Sequence, residues 1–366
     1  MTEIAMSLSR IVALAALLSV VALRGASTFA AVSGPPLRRV ATIDLPGQPL
    51  TSFDIGDVGD GVFALADRSN AGVDLIDVRT LRDLGRIDGF AGNRPDHRGG
   101  PNGVHIVGAD QVWAGDGDSS VKIADLRTRH VVASVATGGR HRVDELTVDP
   151  RDHLVIAANN ADRPAFVTLI STRAPYPILG RITLPRATHG LEQPLWDPST
   201  GKIYLAIPEL DGVASRGGIA VIDPRSARLR TVWPVSDCMP AGLALGPGDH
   251  LLVGCSDDAV AAGFPAQSLV IDTNDGRLVK RFAQVGGSDE VGYDRRLAVF
   301  VLAASANPGG PVLGVISART LQWLGNVPSG PEAHSVATDP RSGRVFVPVA
   351  AGDSTCPRGC VEVLGR

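Results

Sequence analysis

One pattern recurs along nearly the whole chain and limits what it can fold into. It is a short apolar strand, a tight turn built on Asp, Pro or Gly, and a second apolar strand. The clearest copy lies within residues 331–350: Ser335 to Thr338, a turn from Asp339 to Gly343, then Arg344 to Val349. Asp-Pro opens the turn and Gly closes it, as turn geometry requires, and the flanking runs are β-branched and apolar. Related copies begin near Gly56, Val107, Asp149, Asp197, Gly246 and Asp294, at intervals of 51, 42, 48, 49, 48 and 45 residues. A period of about 40–50 residues carrying only strand signals predicts a β-propeller, each repeat forming one four-stranded blade.

The seventh copy supplies its third strand, Cys360-Val-Glu-Val-Leu, and no fourth. Near the other end of the sequence, Arg39-Val-Ala-Thr-Ile-Asp-Leu is a strand without a hairpin partner and resembles fourth strands such as Gly180-Arg-Ile-Thr-Leu-Pro. Pairing the two closes the ring and removes an exposed sheet edge. The expected fold is therefore all-β: a seven-bladed β-propeller over 38–366, one domain, closed by the N-terminal strand at about 39–45 joining the last blade. The 42 glycines, 26 prolines and 44% apolar residues fit many short strands and turns and are too apolar for a disordered chain.

Ahead of the repeats, Ile11 to Leu23 is a run of mostly apolar residues preceded by Arg10 and followed by the small residues of Thr28-Phe-Ala30. It is short of the roughly 20 residues that a spanning helix needs, so residues 1–30 are predicted to be a secretory signal peptide. The mature protein is then periplasmic or secreted, with no membrane span after cleavage, and is expected to be a monomer. A formal net charge of −3 with no basic block argues against nucleic acid. An oxidising compartment permits disulfides. Cys356 and Cys360 close a short loop, and hairpin register around Pro247-Gly248 brings Cys238 within two residues of facing Cys255. Both bridges are predicted; the spacings do not suit a four-thiolate zinc site.

The repeat carries a further signature: Leu75-Ile-Asp-Val-Arg-Thr, Val221-Ile-Asp-Pro-Arg-Ser and Val270-Ile-Asp-Thr-Asn-Asp-Gly in third strands, with Pro101-Asn-Gly-Val, Pro240-Ala-Gly-Leu and Ala333-His-Ser-Val ahead of first strands. In these residues the chain resembles the YncE-like, YVTN-repeat family of seven-bladed propellers. The resemblance implies the architecture and leaves the activity open, because propellers host unrelated functions.

Ligands of propellers meet the channel lined by the innermost strands. Five residues before each turn marker stand Thr51, Asn102, Asp144, Glu192, Ala241, Asp289 and His334; next along stand Ser52, Gly103, Glu145, Gln193, Gly242, Glu290 and Ser335, with His105 close in register. These positions predict a polar ring at one mouth of the channel. Asn102, His105, Asp144, Glu145, Glu192, Gln193, Asp289, Glu290 and His334 are the ligand-binding candidates. Carboxylates converging from several blades repel one another unless a cation sits among them. Glu145, Glu192, Glu290 and His334 are therefore candidate ligands for Ca²⁺, Mg²⁺ or Mn²⁺, against the plainer reading of a wet polar channel. Asp96-His97-Arg98 and Arg140-His141-Arg142 read as solvated loop charges. No GxSxG or HExxH motif is present. The functional expectation is a binding propeller that takes a small ligand, metal ion or partner protein at the channel mouth. The rival is a metal-dependent, lactonase-like hydrolase or lyase at the same place.

Overall fold

A computed structural model describes residues 37–366; the predicted signal peptide lies outside the described residues. The described strands form seven four-stranded antiparallel sheets. Each blade uses consecutive strands in order from the channel outwards, except the last. That blade is Ala337–Asp339, Arg344–Val349 and Cys360–Gly365, completed on its outer side by Arg38–Asp44. The closing register runs from Arg38 opposite Gly365 to Asp44 opposite Cys360, so the ring is tied by a sheet pairing, as expected.

Second and third strands read as unbroken apolar runs because both of their faces are covered. Leu154–Asn159 and Ala165–Ser171 are buried throughout. The core is correspondingly divided into seven clusters, one between each pair of neighbouring blades. Aromatic pairs mark several of these: Phe63 stacks on Phe346 across the closing interface, and Tyr204 stacks on Trp233. Of the four tryptophans, Trp113 and Trp233 are buried. Trp196 instead lines the channel and Trp323 is 41% exposed.

Turn chemistry recurs at fixed places. In the third-strand signature the Asp caps the following turn: Asp77 accepts from the amides of Arg79 and Thr80, and Asp223 from those of Arg225 and Ser226. Each fourth strand carries one extra residue opposite the same step of the third strand. These bulge residues are Leu84, Val132, Leu179, Arg230, Val279, Leu324 and, on the closing strand, Val40. Cys238–Cys255 and Cys356–Cys360 are both bonded, which accounts for all four cysteines.

One register needs correcting. The first turn of blade 1 is at Asp60 and Gly61, with Gly59 opposite Val62, three residues later than the Gly56 marker. The pairing also shifts between Phe53 and Gly56. That displaces the ring position of blade 1 from Thr51 and Ser52 to Asp54 and Ile55.

Candidate functional site

With the register corrected, equivalent positions of the seven innermost strands are Asp54, Asn102, Asp144, Glu192, Ala241, Asp289 and His334. The residues that follow are Ile55, Gly103, Glu145, Gln193, Gly242, Glu290 and Ser335. Successive residues of a strand point to opposite sides, so the predicted single ring is two distinct levels of the channel.

The upper level supplies its own cations. The Arg68 guanidinium pairs with Asp54 and donates to Asn102 Oδ1 at 2.6 and 3.0 Å. Arg142 donates to Asp144 at 3.1 Å, and Asn160 donates to the same carboxylate oxygen. His334 presents Nε2 to Asp54 at 3.8 Å, holds the Glu332 carbonyl through Nδ1 at 2.8 Å and stacks flat on Phe53. Burial works against an ionised Asp54, but Arg68, His334 and Arg142 outweigh it and hold its pKa down at about 2. Burial likewise opposes the charge of Arg142, and Asp144, Asp54, Glu192 and Asp289 outweigh it and raise its pKa. His334 is raised in the same way: burial opposes, Asp54 and Asp289 prevail. The reading of Arg142 as a solvated loop charge is thus overturned. Although only two residues from Asp144, it turns inward and forms the hub of the ring. Asp54 was missed because its blade was misregistered, and Arg68 because it follows the second strand, Val62–Asp67, outside the first-strand count.

The lower level has no such cation. Glu145 and Glu290 are buried, 5% and 3% exposed. Gln193 bridges blades here, its Nε2 donating to Glu290 Oε2 at 3.1 Å while its Oε1 accepts from the Leu243 amide. Glu290 Oε1 is buried without a hydrogen-bond partner. Burial, followed by the charge of Asp289, pushes the Glu290 pKa up to about 8. Burial raises Glu145 well above the usual carboxylate range, with the charge of Glu290 next in weight. In the upper ring burial raises Glu192 too, and pushes Asp289 up to about 7. Two glycines bring the glutamate blades inward. A Cβ on Gly103 would lie 2.5 Å from Glu145 Cα, and one on Gly242 2.3 Å from the Asp289 carbonyl oxygen. Only a residue without a side chain permits that backbone approach.

Below this level the channel widens into a recess of about 360 Å³. Glu145, Gln193 and Glu290 form its polar end. Val104, Leu146, Pro194, Leu243, Val291 and Val336 make its walls, and Trp196, Pro198 and Tyr293 lie near the hairpin-turn face. His105 sits on the wall, Nδ1 3.3 Å from Asp57. None of the upper ring lines this space. The nine candidates therefore divide: Asn102, Asp144, Glu192, Asp289 and His334 in the ring; Glu145, Gln193, Glu290 and His105 in the recess.

That division bears on the expected divalent cation. Glu192 and His334 are on one level, Glu145 and Glu290 on the other, and among the described residues no three His, Cys, Asp or Glu side chains form a group that could hold a metal ion. In the ring, guanidinium groups stand where a metal was expected to balance the carboxylates. The arrangement is a ring whose Asp54 and Asp144 are paired with arginines, above a carboxyl-ended recess.

No protein-family model matches the chain, and no curated protein matches it. Among solved structures, a chain from the crystal structure of a mitotic checkpoint complex is similar at a TM-score of 0.67 and 14% identity, covering 89% of this chain and 93% of that one. At that identity the likeness shows the fold alone. Among the described residues no helix is long and apolar enough to cross a membrane.

Proposed function

We propose that this is an exported binding propeller of the YVTN-repeat kind. It would hold a small molecule in the recess below the ring, with a cationic or hydrogen-bond-donating group of the ligand facing Glu290 and Glu145. The observation that carries the reading is the unpartnered Glu290 Oε1 at the polar end of an apolar-walled recess. A buried carboxyl oxygen without a partner is costly, and a ligand group bonded to it would relieve that cost. Depth and apolar walls suit a body of a few carbons; two glutamates and a glutamine fix its head. Two disulfides fit an oxidising compartment.

Burial of the two glutamates favours their protonated forms, so a bound ammonium would displace a proton. Affinity should then rise with pH between about 5 and 8, by up to roughly tenfold per unit for each proton released. The test is a thermal-shift and calorimetric screen of short alkylammonium ions against alcohols of equal length, at pH 6 and pH 8. Amines should raise the melting temperature more at pH 8, and Glu145→Gln with Glu290→Gln should abolish the effect. If neither amines nor alcohols bind, and Leu243→Trp in the recess wall changes nothing that natively purified protein carries in mass spectrometry, the reading fails.

A further inference from the structure

We propose a second, separate site on the ring face of the molecule, where Arg94, Arg98 and Arg140 receive a compact oxyanion: the phosphate, sulfate or carboxylate group of a small molecule. These three arginines, with Asp118 and the backbone of Ala91 and Gly117, line a pocket of about 380 Å³. It lies between the 89–101 connection and the connection after the fourth strand of blade 2, His130–Ala136.

The backbone around the pocket is fixed. Gly92 and Gly100 exchange amide–carbonyl hydrogen bonds at 2.7 and 3.0 Å, closing the base of the connection. Its tip is anchored by the Arg142 amide donating to the His97 carbonyl at 2.7 Å. Asp96 and His97 have φ of +59° and +53°, a conformation that costs non-glycine residues free energy and persists only where the surroundings enforce it. The result is a turn that presents Arg98. On the other side, the Arg140 amide is held by Asp162 Oδ1 at 2.8 Å while its guanidinium stays clear of that bond.

Many surface arginines meet no acid; what sets this place apart is that three of them converge on one pocket. Arg186, Arg225, Arg230 and Arg277 each pair with an aspartate. Among the described residues, Arg94, Arg98 and Arg140 pair with no acid, and the only acid lining the pocket, Asp118, is met by Lys122 at 3.9 Å. Positive charge continues alongside: burial and then Arg142, His141 and Arg163 hold the His97 pKa below its usual value. On a chain of net charge −3 this is a local reversal of sign. Three guanidinium forks around one pocket match the paired oxygens of an oxyanion, which they can bind bidentately.

The test is calorimetric titration with inorganic phosphate, sulfate and acetate at low and at physiological salt. It uses wild-type protein, Arg98→Gln with Arg140→Gln, and Arg225→Gln as a control at a paired surface arginine. At least one of the three anions should bind wild type, with at least a tenfold loss in the double variant and none in the control; which anion binds best sets the ligand's chemical class. Melting curves check that all three proteins are folded. The proposal is overturned if no anion binds wild type, or if double variant and control lose the same amount.

Discussion

The two levels of the channel lie one residue apart and both carry buried carboxyl groups, yet their chemistry diverges. In the ring, Asp54 and Asp144 have Arg68 and Arg142 drawn from their own chain, and the carboxylate of Asp54 stays ionised to about pH 2. At the end of the recess, Glu145 and Glu290 have no arginine, and Glu290 holds its proton to about pH 8. Burial is alike in both; Arg68 and Arg142 supply positive charge to Asp54 and Asp144, whereas Glu192 and Asp289, bonded to no arginine, are raised by burial like the glutamates below. Where carboxylates are paired internally, as at Asp54 and Asp144, the side chains plug the channel. Glu290 Oε1, left without a partner, keeps an unmet demand, and that is where a ligand gains most.

The most severe way to break this comparison is Arg142→Met. Removing the hub leaves several buried carboxylates without a counter-charge, a change that costs about 3–5 kcal/mol when a buried pair is broken. Chemical denaturation at pH 8 should show that loss, with a smaller one at pH 5, where Asp289 and Glu192 are protonated. Equal stability of variant and wild type at both pH values would mean that the ring is not held by its own cations. Next in size is Gly103→Ala, which pushes a methyl into the backbone beside Glu145 and should cost about 1–3 kcal/mol, read as a lowered melting temperature. The gentlest change is Glu145→Gln with Glu290→Gln. A carboxyl whose folded pKa is raised binds more protons folded than unfolded, so its contribution weakens as pH rises from about 4.5 to about 8, by at most about 1.4 kcal/mol per pH unit. Wild type should therefore lose stability over that range. The double variant should lose less and melt higher at pH 8; a pH profile identical to wild type would erase the contrast between the levels.

Much of this architecture is legible in the residues alone. The hairpin spacing, the strand orphaned near residue 40 and the cysteine register are local patterns, and local patterns lead directly to blades, closure and disulfides. The nine candidate residues are legible too, because register counts carry from blade to blade. Their division into two levels is not, since it depends on the alternation of side chains about a curved ring. Arg142 escapes for a related reason: nothing in Arg140-His141-Arg142 says which of the three turns inward. Blade 1 escapes because its turn is at Asp60 and Gly61, three residues beyond the Gly56 taken as its marker, which shifts every count made from that marker.

The seven bulges on the fourth strands have a consequence for how the molecule behaves in company. Each blade ends in an open edge, and an unbroken edge is an invitation to a passing strand. Here every edge is interrupted at the same step, so a visiting chain would find its hydrogen-bond ladder out of phase after a few residues. The side chains displaced at these steps are mostly apolar, Val132 and Leu179 more than half exposed, and some have an exposed apolar neighbour, as Ile178 beside Leu179 and Trp323 beside Leu324. In a chain so rich in strand-forming residues, these interruptions work against edge-to-edge pairing between copies.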